Sequence, residues 1–377
     1  MSNILFAPAQ LGPLTLANHI VMAPLTRSRA PHNVPNELMA EYYRQRATAG
    51  LIITEGTSPA ANGLGYARIP GLFNEEQATN WQRVTETVHH HGGHIFVQLM
   101  HAGRVFHPLN LPAGAEGVAP SAIAAAGQMW TDQQQLQPQP APRALRPEEL
   151  AQVRDEYVQS ARLALEAGFD GVELHSANGY LLSQFLNPHS NQRTDSYGGS
   201  VQNRARFVLE VAQAVADAIG AERTGMRISP WGTDADMPLY PELDETYAYL
   251  AGELQKIGLV YLHLVDHASM GAPAVPAETV AIIRRKFTNS IILSGGYHDV
   301  ARAEEALESG RADLVAFGRP FIANPDLVER LHNNLPLAQP DPATFYAPGP
   351  NGLADGYIDY STANGQPAGT FSPAYEA

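Results

Sequence analysis

The chain of 377 residues contains no cysteine. That absence excludes disulfides, thiolate catalysis and every cysteine-ligated zinc or iron–sulfur centre. Charge is also sparse, 16% of residues against 44% hydrophobic, a balance ordinary for a globular enzyme. Positive charge is the scarcer sign, with 24 Lys and Arg against 38 Asp and Glu for a net charge of −14. A surface of that sign repels nucleic acid and anionic membranes, so neither is an expected partner. No run approaches the ~18 uninterrupted apolar residues of a membrane span, and the first six residues lack the basic and apolar regions of a signal peptide. The expectation is a cytoplasmic protein, monomer or homodimer, acting on small molecules.

What the chain does have is a repeat. Short apolar runs predict strands near 19–23, 51–55, 94–99, 169–174, 225–229, 260–265, 291–294 and 313–317. Amphipathic stretches predict helices near 36–49, 75–91, 147–167, 201–219, 243–257, 277–287, 300–309 and 325–333. Glycines such as Gly50, Gly168, Gly258 and Gly310 stand between a helix and the next strand, where a left-handed cap suits a short loop. Eight such units, with no Gly-x-Gly-x-x-Gly after the first strand, predict the α/β class and a (β/α)8 TIM barrel, as one domain over 1–361. Residues 3–17 predict a hairpin plugging the N-terminal mouth. Residues 101–146, with a glutamine-rich stretch at 133–140, predict a long structureless connection after strand 3, a lid or a binding excursion. The tail over 362–377 is expected to be poorly ordered.

Barrel enzymes place their chemistry at the C-terminal ends of the strands. The apolar run 169–174 is expected to deliver His175, Asn178 and Tyr180 on the turn that leaves it, as two hydrogen-bond donors for an oxygen and a phenol able to give a proton. A polar helix cap with a satisfied histidine is the plainer alternative. Ser294, Gly295 and Gly296 after strand 7, with Gly318 and Arg319 after strand 8, predict a phosphate site. Turn glycines and a surface arginine would read the same way. Arg227 lies inside an apolar strand and needs a partner, either an anionic ring system or carboxylate, or Glu173 in a core ion pair. Gln98 and Thr26 are hydrogen bonders at strand ends. The histidines at 89–91, 94, 101 and 107 lack a ligand-like spacing, so no metal is expected.

Four segments carry a resemblance. Met22-Ala23-Pro24-Leu25-Thr26-Arg27, His175-Ser176-Ala177-Asn178-Gly179-Tyr180-Leu181, the run 193–200 with Asn203 and Arg204, and 317–325 are together similar to the Old Yellow Enzyme family of FMN-dependent ene-reductases. Within it the chain is most similar to the bacterial pentaerythritol tetranitrate and N-ethylmaleimide reductase branch. The resemblance implies bound FMN, with NADPH or NADH as reductant. It implies that Pro24, Leu25, Thr26, Gly56, Gln98 and Arg227 contact the flavin and that Ser294, Gly295, Gly296, Gly318 and Arg319 hold its phosphate. His175 and Asn178 would bind the oxygen of the substrate's activating group, Tyr180 would donate the proton, and Tyr66, Met100 and Tyr346 would line the substrate pocket. The implied reaction is reduction of the C=C bond of α,β-unsaturated carbonyl or nitro compounds by hydride from flavin N5. Reduction of nitro or nitrate-ester compounds at the same site, and a flavin-binding redox sensor, are the alternatives. Relatives with cysteine-ligated clusters are excluded by composition. Met100, where members of this branch often carry tryptophan, implies a more open pocket wall, and 128–142 is idiosyncratic.

Overall fold

In this computed structural model, which describes residues 4–365, eight parallel strands close into a barrel. The strands are β1 (Ile20–Met22), β2 (Leu51–Thr57), β3 (Ile95–Leu99), β4 (Gly171–Ser176), β5 (Thr224–Ile228), β6 (Tyr261–Val265), β7 (Ser290–Ser294) and β8 (Leu314–Phe317). Each pairs with its successor, and β8 closes on β1 with Phe317 opposite Met22. Eight helices alternate with them: α1 (Glu37–Arg44), α2 (Glu75–His90), α3 (Glu149–Glu166), α4 (Val201–Ile219), α5 (Leu243–Ile257), α6 (Ala277–Lys286), α7 (Val300–Glu308) and α8 (Leu327–His332). Asn36, Asn74, Ser200 and Asp299 cap the helices they precede, each accepting a hydrogen bond from a backbone N–H three residues on.

Strand period decides what faces inward. Met22, Ile52, Val97, Leu174, Ile228, Leu264 and Val315 join the core shared with the outer helices. Val21, Leu51, Ile53, Phe96, Tyr261, Ile292 and Leu314 fill the barrel, where Ala9, Leu11 and Leu16 join them. Those last three belong to an antiparallel hairpin, Ala9–Leu11 with Leu14–Leu16, so the expected plug is present. The barrel is therefore apolar at its plugged end. Further along the strands the inward positions become Gln98, Glu173, His175, Arg227, His263 and Ser294, a polar layer at the opposite end. Gly171 and Gly225 make room for the aromatic layer between, since a Cβ on either would lie about 2.5 Å or less from the Phe96 or Tyr261 ring.

Three expectations need correction. The fourth strand does not stop at Leu174: His175 pairs with Arg227 and Ser176 with Ile228, so His175 is inside the strand rather than on the turn. The first helix ends at Arg44, because Gln45–Ala49 run as turns that bring Arg46 against the barrel rim, where it donates to Phe321 O and Ile322 O. The stretch 101–146 is not structureless. Gln128–Thr131 and Gln135–Pro138 form an antiparallel hairpin, and Val118–Ala119 pairs in parallel with Arg143–Ala144 to close the excursion at its base. The tail expected over 362–377 lies outside the described residues beyond 365.

Candidate active site

The C-terminal end of the barrel opens into a cavity of about 690 Å³. Pro24, Leu25, Thr26, Gln98, Arg227, Ser294, Gly295, Gly296, Gly318 and Arg319 border it, with Tyr66, Met100, His175, Asn178, Tyr180 and Tyr346. Gly56 does not. A Cβ there would lie 2.5 Å from Met100 Sδ, so Gly56 leaves room for that side chain from behind. Met100 itself is buried and packs with Leu64, Ile69, Tyr66 and Tyr180.

The floor of the cavity is a buried polar network set by strand register. Glu173 stands opposite Gln98, and Arg227 between His175 and His263. Gln98 Nε2 donates to Glu173 Oε1 at 2.7 Å, and His263 Nδ1 lies 2.8 Å from Glu173 Oε2. His263 Nε2 lies 2.9 Å from Ser294 Oγ, which links the floor to the glycine pair. Burial pushes the Glu173 carboxyl up, but His263, Arg227 and the Gln98 amide outweigh it and hold the group ionised. Burial lowers the His263 value, and the neighbouring Glu173 carboxylate opposes that shift. Arg227 forms no ion pair with Glu173 among the described residues: the carboxylate acts on it only through space, and its Nε is buried with no hydrogen-bond partner.

After β4 the chain turns sharply. Asn178 and Gly179 both take left-handed conformations (φ 58° and 78°), which asparagine and glycine tolerate. The Asn178 N–H donates to Ser229 Oγ at 2.9 Å, and Gln184 Nε2 donates to Gly179 O at 2.7 Å, fixing the turn from both sides. Tyr180 then opens the short helix Leu181–Leu186. The run 193–200 braces that helix rather than entering the cavity. Asn191 Nδ2 donates to Phe185 O and Tyr197 O, and Arg204 Nε to Leu186 O.

Tyr180 and Tyr66 share a hydrogen bond of 2.9 Å between their hydroxyls. Burial, then the neighbouring Tyr66 and Tyr346, push the Tyr180 phenol well above its ordinary value, so it stays protonated. Tyr66 is pushed up to about 12, mainly by burial. Burial and the nearby Arg227 hold His175 well below the usual histidine range, as a neutral ring. His175 Nδ1 and Asn178 Oδ1 are buried with no hydrogen-bond partner among the described residues. A phenol donor therefore stands beside two neutral side chains with unused hydrogen-bonding capacity.

At the other end, Gly295 and Gly296 adopt φ 106° and 70°. A Cβ on Gly295 would lie 2.0 Å from Asp266 O, so only glycine fits, and bare amides face the cavity next to Arg319. The residues fit FMN. An orphaned, buried arginine nitrogen sits at the floor, apolar Pro24 and Leu25 line a wall, and a glycine–arginine cradle lies where a phosphate would be gripped. A volume of this size suits a ring cofactor and a small substrate.

The NADH:flavin oxidoreductase / NADH oxidase family matches residues 4–338. The chain belongs to this family. Among the family's members it is 43% identical to a chanoclavine-I aldehyde reductase from Penicillium roqueforti, over 95% of this chain and 96% of that one. It is 41% identical to a probable flavin mononucleotide-dependent alkene reductase from Leishmania infantum, over 94% and 97%. Of solved structures, morphinone reductase superposes with a TM-score of 0.91 at 44% identity, covering 96% of this chain and 97% of that chain. An Old Yellow Enzyme homologue from Zymomonas mobilis superposes at 0.88 with 40% identity, covering 95% and 99%. Morphinone reductase has also been solved with tetrahydroNAD. The protein is an NAD(P)H-dependent, FMN-dependent oxidoreductase of Old Yellow Enzyme type, as its motifs implied.

Several residues of this family member escaped the sequence reading. His263 carries the same signal as Arg227, a polar residue inside an apolar run, and was readable by the same logic. Asp234 and His267 also border or back the cavity, but they lie 33 positions apart and meet only through the fold. Trp130, Leu136 and Met270, exposed by 46% to 59%, all stand at the cavity mouth beside the expected Tyr346. Arg68 gathers that mouth: its Nε donates to Ser28 O and its Nη2 to Tyr346 O, while Nη1 pairs with Asp132 on the hairpin. The histidines set aside as metal candidates have other uses, His89 pairing with Asp170 at 3.0 Å.

Proposed function

We propose that this flavoenzyme is an ene-reductase acting on α,β-unsaturated carbonyl compounds. The observation that carries the reading is the protonated Tyr180 phenol beside the neutral His175 and Asn178 at one cavity, with His175 Nδ1 and Asn178 Oδ1 unpartnered among the described residues. FMN, when bound, supplies the hydride that NAD(P)H provides. His175 and Asn178 bind the carbonyl oxygen and stabilise the negative charge that grows on it as Cβ is reduced. Tyr180 delivers the proton from Oη to Cα, completing addition of two hydrogens across the double bond, and Tyr66 holds that hydroxyl in place. Gln98, Arg227, Pro24, Leu25 and Thr26 hold the ring system, with Arg227 offsetting negative charge. Ser294, Gly295, Gly296, Gly318 and Arg319 hold the phosphate. Tyr346, Met100 and the 101–146 excursion form the outer wall for substrate.

An anaerobic visible spectrum tests the reading. A flavin band that bleaches with NADPH and returns on adding 2-cyclohexenone is the expected result. Bleaching without return would overturn the enone assignment and move the search to nitro compounds.

A further inference from the structure

One polar pair on the cavity wall has no part in that reading. His267 stands two residues beyond β6, is 3% exposed and borders the cavity. Its Nδ1 lies 2.7 Å from Asp234 Oδ2, on the loop after β5. That loop holds the carboxylate against local preference: Trp231, Ala235 and Asp236 all have positive φ (65°, 52° and 59°). Such conformations are disfavoured in non-glycine residues and persist only where the surroundings impose them. Arg104 imposes this one, its Nη2 donating to Ala235 O at 3.1 Å and Asp236 O at 2.6 Å. Gly232 leaves space for the ring, since a Cβ there would lie 3.0 Å from His267 Nδ1.

The neighbouring acid is already committed. Asp266 Oδ1 accepts from the Ala268 N–H and Oδ2 from the Val275 N–H, shaping the turn after β6. Asp234 is free of such duty and stays ionised: burial raises its value, but His267 and Arg227 lower it further. The carboxylate beside Nδ1 sets that edge of the ring against the loop, so Nε2 is the nitrogen left to make a hydrogen bond. Nδ1 is buried while the ring borders the cavity, so Nε2 is the nitrogen open to it.

We infer that His267, held by Asp234, is a specificity-determining residue that accepts a hydrogen bond from a hydroxyl or N–H group on the substrate, away from the carbonyl bound by His175 and Asn178. The preferred substrates are then enones or cyclic imides with such a second polar group, not bare hydrocarbon enones. This inference rests on the ene-reductase reading for its substrates, but the pair can be tested without turnover.

The test uses two matched pairs of probes on the FMN-loaded enzyme: maleimide against N-methylmaleimide, and 4-hydroxy-2-cyclopentenone against 2-cyclopentenone. In His267→Leu the ratio of kcat/KM for the donor-bearing over the donor-free partner falls about tenfold in at least one pair, the worth of one hydrogen bond. His267→Gln, which restores an acceptor, recovers part of the ratio. Calorimetric titration with succinimide and N-methylsuccinimide reads the same preference as a difference in Kd. Ratios that stay within twofold in both pairs, with an unchanged difference in Kd, overturn the inference. So does an equal loss for both members of each pair with no rescue by glutamine, which is what a purely structural bridge between two loops would give. Failure of the wild-type enzyme to reduce any of the four compounds would instead count against the ene-reductase reading, while the calorimetry still decides the role of His267.

Discussion

Both side chains assigned to the reacting oxygen and the proton are held uncharged by burial, Tyr180 as phenol and His175 as neutral imidazole. Neither changes charge near neutrality, so the rate of enone reduction by pre-reduced enzyme is expected to be flat from about pH 6 to about pH 8. A bend near the ordinary histidine value of about 6.5 in a stopped-flow pH series would contradict the assignment of His175. Glu55 behaves differently. It accepts hydrogen bonds from the Arg27 N–H and the Tyr43 hydroxyl, yet burial raises its pKa to about 7. The folded state therefore keeps a proton that the unfolded chain has released above its lower value, and stability falls as pH rises through that window, by up to about 3 kcal/mol. Glu55→Gln removes the titration. Its melting temperature relative to wild type should rise between about pH 5 and about pH 8, and a constant difference would show that Glu55 is ionised throughout.

Among elements, the eight strands were legible because a sheet buried on both faces needs continuous apolar runs, and these stand out between amphipathic helices. The hairpin over 128–138 was not. Its second arm, Gln135–Pro138, has neither the alternation nor the β-branched residues that mark a strand, and it is held by antiparallel pairing with Gln128–Thr131 and by the Arg68–Asp132 pair. Nor could the order of 342–358 be read, because it depends on distant arginines. Arg27 donates to Thr344 O and Gly356 O, Arg29 to Leu353 O, and Tyr357 stacks on Tyr42. These anchors seat Tyr346 at the cavity mouth, which Trp130 also borders. Trp130→Ala is expected to lower kcat/KM for a phenyl-substituted enone by about three- to tenfold more than for 2-cyclohexenone, the worth of one aromatic contact. Steady-state kinetics on the two substrates would measure it, and equal effects on both would assign the tryptophan to holding the hairpin.

Across the whole molecule, a barrel with one end plugged by Ala9, Leu11 and Leu16 concentrates its buried polar groups at the other. That architecture let the cluster of strand-end residues be read as a site before any geometry was known, and it is why sixteen of the residues singled out in the chain border one cavity while Gly56 stands behind it. The polar floor is also where the fold outruns sequence: Glu173, Gln98, His263 and Ser294 are far apart in the chain and meet only because the closed barrel brings their strands together. The chain carries only two lysines, Lys256 and Lys286, so its positive charge is almost wholly guanidinium, and the three most deeply buried arginines, Arg27, Arg29 and Arg46, serve as backbone anchors. In the proposed mechanism Tyr180 gives the proton to the substrate and takes no part in reduction of the flavin. Separate half-reactions of Tyr180→Phe, followed by stopped-flow absorbance of the flavin, test it most directly. Reduction of the enzyme by NADPH should proceed at close to the wild-type rate, while reoxidation by 2-cyclohexenone slows by ~10²–10⁴. Equal slowing of both halves would make Tyr180 a structural residue and not the proton donor.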